Sequence, residues 1–447
     1  MGHILLHNYY MPIFRFLQVY FAEKTCDFYS FLAIMSLFRY NKTINFRGDF
    51  MKKFDIAYNR HCGINKPDIM HLFDVSVAEE VNRFHKTFDG YVPTPLADLG
   101  HTAKTFGIDG IFVKDESFRF GLNAFKALGG SYCLGRYMAE MLGKDIAELS
   151  YCDLISSEIK SAVGEITFVT ATDGNHGRGI AWTAAKLGQK AVVYMPKGSA
   201  AERQENIRKL GAVCEITDVN YDDTVRFAKQ QADENGWVLV QDTAWEGYEQ
   251  IPAHIMQGYL TMAVEAAEQL GDKKPTHIFL QAGVGAMAGA MAAFFRNLYG
   301  FEQKIVMVEP DKADCFYQTA KADDGAIHAV GGDLDTIMAG LACGEPCTIA
   351  WELAKYCVDA FISMEDTITA NGMRILASPS QGDKAVISGE SGAAGFGCVA
   401  EILTNQPQIK QQLKLDENSV VLCFSTEGAT DTENYKNIVW YGRYADK

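Results

Sequence analysis

The chain has 447 residues, of which 48% are hydrophobic and 22% charged, values close to those of ordinary globular proteins. This composition excludes collagen-like, coiled-coil and disordered chains, and the length allows a large α/β enzyme of two domains. The 41 basic and 56 acidic residues leave a formal net charge of −15 at pH 7. Because nucleic acids and anionic membranes attract cationic surfaces, we expect neither of them to be a partner of this protein.

The first 50 residues differ in composition from the rest of the chain. They hold 13 of its aromatic residues, against 39 in the other 397 residues, and they lack the strand and helix pattern that follows. No secretory signal is predicted, because Arg15 interrupts the first apolar stretch, and residues 28–38 are too short to span a bilayer. A membrane-surface helix stays open. We expect residues 1–50 to be an atypical extension, and we hypothesise that translation of the natural protein starts at Met51.

The cysteines predict a reducing compartment. There are 11 of them, an odd number, and no pair has the CxxC spacing of a redox or zinc site. The closest pair, Cys343 and Cys347, has no histidine at metal-ligand spacing. We therefore expect reduced thiols, a cytoplasmic location and no metal centre.

From about residue 110 to 310, short β-rich segments alternate with amphipathic helical segments. The predicted strands are 110–115, 166–171, 191–196, 237–242, 277–282 and 304–309. The predicted helices are 176–188, 200–210, 221–235, 254–270 and 287–299. Several strands are nearly continuous apolar runs, which is typical of strands buried on both faces of a parallel sheet. The sequence therefore predicts an α/β fold with mainly parallel sheets flanked by helices.

The segment GVGAMAG, residues 283–289, follows a predicted strand and opens a predicted helix. In open α/β sheets, ligands bind where strands end and helices begin, and backbone N–H groups at such a place can hold a phosphate. Plain tight packing of the glycines is the alternative. The segment lacks both the GxGxxG spacing and the Walker lysine, which disfavours NAD and ATP as ligands.

Lys126 lies among apolar residues at the start of another predicted helix. Burying an ammonium group is costly, so such a lysine must reach solvent, be paired or take part in chemistry. An amine that its surroundings deprotonate is suited to a Schiff base with an aldehyde cofactor. Together with a phosphate cradle and a strand exit that contains Asn175, this makes Lys126 a candidate catalytic residue.

Five segments, taken in order, resemble pyridoxal 5'-phosphate (PLP) enzymes of the tryptophan synthase β-like superfamily, known as fold type II. They are residues 93–96, 123–126, 172–177, 283–289 and 389–393. More narrowly, the strings KDESFRFGLNAFKALGG, TATDGNHGRG, QDTAWEGYEQIP and STEGATD resemble the diaminopropionate ammonia-lyase family. The resemblance covers about 51–447 and implies two open, twisted, mainly parallel sheets flanked by helices. It further implies a homodimer whose subunit has a large domain, 51–117 with 241–447, and a small domain, 118–240.

The resemblance also implies roles in holding the cofactor. Lys126 would form the Schiff base with PLP, and Asn175 would face the phenolic oxygen of its ring. The phosphate would be held by the backbone amides of Gly283, Val284, Gly285, Ala286 and Met287. Ser425 or Thr426 would meet the pyridine nitrogen through a neutral hydroxyl, which suits β-elimination better than transamination. Which of these two neighbours does so stays open.

The strand exit formed by Thr172, Asp173 and Gly174 would receive the substrate. Related serine and threonine dehydratases usually have a small hydroxyl residue where this chain has Asp173. A carboxylate there would either take the Cα proton from the face opposite Lys126 or pair with a second ammonium of the substrate. In the resembled family this Asp serves the D isomer and the lysine serves the L isomer, and Asp242 would be a second active-site acid. A turn or a helix cap is the structural alternative for Asp173, and a helix N-cap is the alternative for Asp242.

The implied reaction is the α,β-elimination of D- and L-2,3-diaminopropionate to pyruvate and ammonia through aminoacrylate, a step of amino-acid catabolism. The alternatives are a serine or threonine dehydratase, another D-amino-acid lyase on the same fold, and a catalytically silent regulatory or binding protein. Asp173 speaks against a dehydratase, which has no evident use for a carboxylate there. The joint presence of Lys126, Asp173 and Asn175 speaks against a silent protein. Glu390 and Ser391 are candidates for lining the pocket, whereas His176 is assigned no chemistry.

Overall fold

The computed structural model describes residues 54–172 and 174–445. The expected extension, residues 1–50, and the candidate base Asp173 lie outside the described residues. Within them the strands are β1 (Phe54–Tyr58), β2 (Leu96–Asp98), β3 (Gly110–Asp115), β4 (Thr167–Ala171), β5 (Lys190–Met195), β6 (Val213–Ile216), β7 (Val238–Leu239), β8 (His277–Gln281), β9 (Lys304–Pro310), β10 (Ala360–Met364) and β11 (Val420–Ser425).

The helices of the described residues cover both faces of two sheets. The first nine are α1 (Val75–Lys86), α2 (Gly100–Phe106), α3 (Ala127–Met141), α4 (Tyr151–Leu154), α5 (Ser157–Val163), α6 (Asn175–Leu187), α7 (Ala201–Arg208), α8 (Tyr221–Asn235) and α9 (Gln250–Gly258). The next eight are α10 (Leu260–Leu270), α11 (Ala286–Tyr299), α12 (Cys315–Ala322), α13 (Thr348–Cys357), α14 (Asp366–Ala377), α15 (Ala394–Asn405), α16 (Pro407–Leu413) and α17 (Thr432–Val439). Short 3-10 segments are Asp68–Phe73, Glu116–Gly121, Ile146–Glu148 and Ala339–Leu341.

The larger sheet has seven strands in the order β1-β10-β9-β8-β11-β3-β2. Its five inner strands are parallel, and β1 and β2 pair antiparallel to them at the two edges. Strands β3, β8, β10 and β11 are buried along their whole length. This explains why their sequences are apolar on both faces instead of alternating.

The smaller sheet has four parallel strands in the order β6-β5-β4-β7. Its strands and the helices between them come from residues 167–239. The predicted class, an α/β fold with two mainly parallel sheets flanked by helices, is therefore confirmed. No helix in the described part of the chain is long and apolar enough to cross a membrane.

Five of the six predicted strands are confirmed to within about one residue at each end, and one is much shorter than predicted. The prediction at 237–242 was wrong beyond Leu239, because the backbone N–H of Gln241 bonds to the hydroxyl of Tyr248 at 2.9 Å, in the turn that follows the strand. The predicted helix 254–270 is two helices, α9 and α10, that meet at the buried Tyr259. Strands β1, β2, β6, β10 and β11 were not predicted.

Close packing of helices fixes the backbone at Lys126, the residue that precedes α3. A Cβ added to Gly179 of α6 would lie 2.9 Å from the carbonyl oxygen of Lys126, and one added to Gly129 of α3 would lie 2.6 Å from the ring of Tyr259. Only glycine fits such approaches. Lys126 therefore starts its helix from a backbone that α6 and Tyr259 hold in place.

Candidate active site

A cavity lies at the carboxyl ends of β4 and β8, where α6 and α11 begin. Its empty space is about 760 Å³, including the open solvent at its mouth. The sequence-predicted residues that line it are Lys126, Thr172, Asn175, Asp242, Gly283, Val284, Gly285, Ala286, Met287 and Thr426. Gly174 and Ser425 are buried, but they are not part of its lining. The structure thus brings together most of the predicted site.

The side chain of Lys126 reaches into this cavity and meets a carboxylate. Its Nζ lies 2.5 Å from Oδ2 of Asp242, and the rings of Phe125 and Tyr259 lie 5.4 and 5.9 Å from the same nitrogen. The side chain is 17% exposed, against 5% for Asp242. Lys126 is therefore paired on one side, flanked by aromatic rings, and still accessible from the cavity.

Asp242 remains ionised in spite of its burial. Burial by itself would raise the pKa of this carboxyl, but the neighbouring His176 and the Lys126 ammonium outweigh that cost and lower the pKa to about 2. The carboxylate is therefore a permanent negative charge at neutral pH, in contact with the catalytic candidate Lys126.

His176, which the sequence analysis left out of the chemistry, stands at the cavity wall beside Asp242. Its Nε2 bonds to the carbonyl oxygen of Val240 at 2.9 Å, and its Nδ1 lies 3.7 Å from Oδ2 of Asp242. Among the described residues, Nδ1 has no hydrogen-bond partner. Burial lowers the pKa of His176, while the charge of Asp242 acts in the opposite direction. The sequence feature that could have pointed to His176 is its position directly after Asn175.

The glycine segment fits a phosphate. Gly285 has φ +84°, and a Cβ there would lie 2.2 Å from Cζ of Phe316. A Cβ on Gly283 would lie 3.0 Å from the carbonyl oxygen of Gly340. Helix α11 begins at Ala286, so the N–H groups of its first turn lack partners within the helix and its positive end faces the cavity wall. An anion is the ligand that such a cradle favours.

The hydroxyls of Ser425 and Thr426 have different surroundings. Ser425 Oγ donates to Oγ of Ser388 at 2.8 Å, whereas Thr426 Oγ1 accepts a bond from Nε2 of Gln281 at 3.0 Å and lines the cavity. Gln281 lines the cavity, and its Oε1 has no hydrogen-bond partner in the described part of the chain. Unpartnered buried polar atoms at a cavity point to a polar ligand.

Thr172 is tied to the loop that carries it. Its hydroxyl accepts bonds from the backbone N–H of Gly174 at 2.9 Å and of Gly177 at 3.0 Å. The predicted substrate loop therefore has its ends anchored on the start of α6. Asp173, which stands between Thr172 and Gly174 in the sequence, lies outside the described residues, and its role stays a prediction.

Glu427 is a cavity residue to which the sequence analysis gave no role. It is 3% exposed, and its carboxylate accepts bonds from Nδ2 of Asn175 at 2.5 Å and from the backbone N–H of Ser391 at 3.1 Å. Ser391, a candidate for lining the pocket, does line it, whereas Glu390 does not. The signal for Glu427 was its position next to Thr426 in the string STEGATD.

No three His, Cys, Asp or Glu side chains in residues 54–172 and 174–445 are placed to hold a metal ion. The absence of a metal from the chemistry stays a prediction. What the residues do fit is an aldehyde cofactor with a phosphate: an accessible lysine, a glycine cradle at a helix start, and a hydroxyl and an amide on the remaining walls.

Comparison with known proteins defines the class. The family model described as "Pyridoxal-phosphate dependent enzyme" matches residues 87–426. The chain belongs to this family of PLP-dependent enzymes, and the predicted cofactor is confirmed.

Narrower relatives identify the branch of this family. Diaminopropionate ammonia-lyase of Salmonella typhimurium is 52% identical over 383 residues, which are 84% of this chain and 95% of that protein. The crystal structure of diaminopropionate ammonia-lyase from Escherichia coli in complex with D-serine is 47% identical, with a TM-score of 0.82, and covers 89% of this chain and 99% of that one. A structure of the same enzyme with an aminoacrylate-PLP azomethine reaction intermediate has a TM-score of 0.81 at 47% identity and the same coverage. The chain is a member of the diaminopropionate ammonia-lyase family, as its sequence strings predicted.

Proposed function

We propose that this protein catalyses the α,β-elimination of D- and L-2,3-diaminopropionate. One molecule of substrate and one of water give pyruvate and two of ammonia, the second released when aminoacrylate hydrolyses. The observation that carries the proposal is the contact between Lys126 and Asp242 beside a glycine cradle, in a chain with 52% identity to a named enzyme of this activity.

The residues that would hold PLP follow from the cavity walls. Lys126 would bind the aldehyde carbon, Asn175 the phenolic oxygen, and the amides of 283–287 the phosphate. We assign the pyridine nitrogen to Thr426 and not to Ser425, because the Thr426 hydroxyl accepts from Gln281 and can donate its own hydrogen into the cavity. When bound, PLP supplies the electron sink for negative charge that develops at the substrate Cα.

Lys126 and Asp242 would handle the protons on one side of the substrate. Once the substrate amine has displaced Lys126, the free Nζ can take the Cα proton of the L isomer. The Asp242 carboxylate, 2.5 Å from Nζ, stabilises the ammonium that results and holds it in place. The leaving β-amino group departs as ammonia and therefore needs a proton, which the same ammonium can return.

Asp173 would serve the D isomer. The D and L isomers present the Cα proton on opposite faces, so one base cannot reach both from a fixed position. Asp173 follows Thr172, which lines the cavity, and precedes Asn175, which also lines it. We propose Asp173 as the base on the face opposite Lys126 and as part of the substrate loop with Thr172 and Gly174.

The test is an assay of the purified protein for pyruvate and ammonia from D- and L-2,3-diaminopropionate. L-Threonine and D-serine are run alongside, and Asp173→Asn is the diagnostic variant. We expect both diaminopropionate isomers to turn over fastest, and Asp173→Asn to lose mainly the D isomer. Faster turnover of serine or threonine would make the protein a dehydratase. Equal loss of both isomers in the variant would contradict the assignment of one base to each face.

The same proposal includes the organisation of the protein. We propose two domains, 51–117 with 241–447 and 118–240, because the smaller sheet lies within the second range and the larger sheet within the first. The cavity takes residues from both, Asn175 from one and Gly285 from the other. We also propose a cytoplasmic homodimer, on the support of the family resemblance and the cysteine pattern. Light scattering of the purified protein tests the dimer.

A further inference from the structure

Three segments of the active site meet at Glu427. The residue before it is Thr426, and its backbone forms an isolated antiparallel bridge with Ala124, two residues before Lys126. Its side chain contacts Asn175 at the start of α6 and Ser391 in the loop before α15. Glu427 thus joins the lysine segment, the Asn175 segment and the 388–393 loop at the edge of one cavity.

The carboxylate of Glu427 accepts hydrogen bonds from two N–H donors, one on each oxygen. Oε2 accepts from Nδ2 of Asn175 at 2.5 Å, and Oε1 accepts from the backbone N–H of Ser391 at 3.1 Å. The Thr430 hydroxyl also donates to Oε2, at 3.2 Å, but a hydroxyl can turn to accept instead. An amide N–H can only donate. While Asn175 presents Nδ2, both oxygens are acceptors, as a carboxylate allows; a carboxamide here would instead require the Asn175 amide to turn over and present Oδ1.

A nearby acid responds to Glu427. Glu390 is buried and accepts a bond from Nδ2 of Asn434 at 2.6 Å. Burial, followed by the charge of Glu427, raises the pKa of Glu390 to about 7, while Arg203 acts in the opposite direction. Glu390 therefore holds its proton more tightly than an exposed glutamate does.

We propose that Glu427 is the positioning residue for Asn175. It takes one N–H of the Asn175 amide and so fixes the plane of that amide, which leaves the second N–H of Nδ2 for the phenolic oxygen of the cofactor. This inference rests on the proposed function, because it uses the assignment of Asn175 to PLP. Glu427 itself acts through Asn175 and moves no proton of the substrate.

The backbone of Glu427 has structural contacts of its own. The carbonyl oxygen of Glu427 accepts from the N–H of Gly389 at 2.9 Å, and Gly392 packs so closely that a Cβ would lie 2.7 Å from the same oxygen. These contacts remain when the side chain is changed. The side-chain contacts with Ser391 and Thr430 are also structural, and the double-mutant cycle with Asn175 separates them from the positioning role.

The experiment is a double-mutant cycle on cofactor binding and on the spectrum of the bound cofactor. Apoprotein of wild type, Glu427→Gln, Asn175→Ala and the double variant is titrated with PLP by equilibrium dialysis, and the pH titration of the visible band is recorded. Glu401→Gln is the matched control, because Glu401 is a buried acid of α15 that binds Asn405 at 2.9 Å and lines no part of the cavity.

We expect Glu427→Gln to raise the Kd for PLP about 10-fold and to shift the pH titration of the visible band. The reason is that the Asn175 amide loses its charged acceptor. The double variant should bind PLP no more weakly than Asn175→Ala alone. The control should match wild type in both readouts.

Two results would overturn the inference: an unchanged Kd and band in Glu427→Gln, or effects of Glu427→Gln and Asn175→Ala that multiply in the double variant. If Glu427→Gln does not fold by circular dichroism, Glu427→Asp takes its place. It keeps the charge but withdraws it by one methylene, so an unchanged Kd and band there would overturn the inference as well. A wild-type protein that forms no visible band with PLP would instead contradict the proposed function.

Discussion

Two lysines of this protein, the buried Lys114 and the half-buried Lys126, have opposite surroundings. Lys114 of β3 has a side chain with 0% exposure, and its three N–H groups go to Glu265 at 2.7 Å, the carbonyl of Thr94 at 2.6 Å and Gln269 at 2.8 Å. Lys126 donates to Asp242 and keeps 17% of its side chain open to a cavity. A lysine with every proton engaged in a closed site can do no chemistry, whereas one beside open space can.

The acids around the two lysines differ in the same way. Near Lys114, Arg119 makes a double contact with Glu116 and another with Glu265, all between 2.8 and 2.9 Å, so every charge has a fixed partner. At the cavity, by contrast, His176 Nδ1 has no partner among the described residues. Charge and burial alone therefore do not mark a site. Incomplete hydrogen bonding next to a cavity is the feature that marks a site.

The largest effect we expect is on activity, at Lys126. Lys126→Ala should lower kcat for L-2,3-diaminopropionate by about 10⁴-fold, since the proposed function gives Lys126 both the link to the cofactor and the transfer of the proton. Thermal unfolding should move by only a few degrees, because the side chain faces a cavity. Pyruvate release and a melting curve measure both. Retention of a tenth of the activity would contradict the role of Lys126.

The second prediction is on stability, in the other cluster. Glu265→Gln removes the acid that Lys114 and Arg119 share, and it should lower the free energy of unfolding by about 3 to 5 kcal/mol, because two buried cations lose charge compensation. Urea denaturation measures it. The exposed pair of Lys229 with Asp233 is the control, and Asp233→Asn should cost under about 0.5 kcal/mol. Equal effects would mean that the buried network has no special weight.

Much of the fold was predictable because inner strands of a parallel sheet are apolar on both faces. Strand β3 was predicted to the residue for this reason. Strands β1 and β2 were missed because they are short, antiparallel edge strands with half-buried residues, and β10 and β11 lie beyond the region in which strands and helices alternate regularly. Their pairing is set by distant partners, which local pattern does not encode.

The site was predictable where a string is unusual in itself and not where a role arises from contact. Lys126, Asn175 and the glycine segment stand in distinctive strings. The choice of Thr426 over Ser425 depends on Gln281, which is 145 positions away in the chain. The role of Glu427 depends on Asn175, 252 positions away. Such long-range pairs appear only when the sheets are assembled.

The third prediction concerns the partner of Lys126. Asp242→Asn keeps the shape of the side chain but removes the charge that faces Nζ, so kcat should fall about 10²-fold, less than for Lys126→Ala. The loss should be similar for the D and L isomers if Asp242 assists Lys126 in returning the proton to the leaving group. Steady-state kinetics with each isomer decide this. A loss confined to the D isomer would contradict the pairing of Asp242 with Lys126, the base assigned to the L isomer.

The smallest effect we expect comes from the difference between two buried carboxyls, one that faces a cation and one that faces another carboxylate. Glu116 bonds to Arg119, whereas burial and Glu427 raise the pKa of Glu390 from 4.5 to about 7. An acid whose pKa rises on folding binds its proton more tightly in the folded state. The stability that it contributes is therefore fully present below pH 4.5 and is lost as the pH rises through 7. Glu390→Gln stays neutral at every pH and should escape this loss.

Melting temperatures of wild type and Glu390→Gln at pH 5 and pH 8, at equal ionic strength, measure that difference. From pH 5 to pH 8 the melting temperature of the wild type should fall by about 2 to 4 °C more than that of the variant. A change of about 1 kcal/mol in stability shifts the melting temperature of a protein this size by about 2 °C. Glu401→Gln, with a buried acid away from the cavity, should follow the wild type. If Glu390→Gln follows it too, Glu390 is already ionised at pH 5, and the negative charge of Glu427 does not reach it.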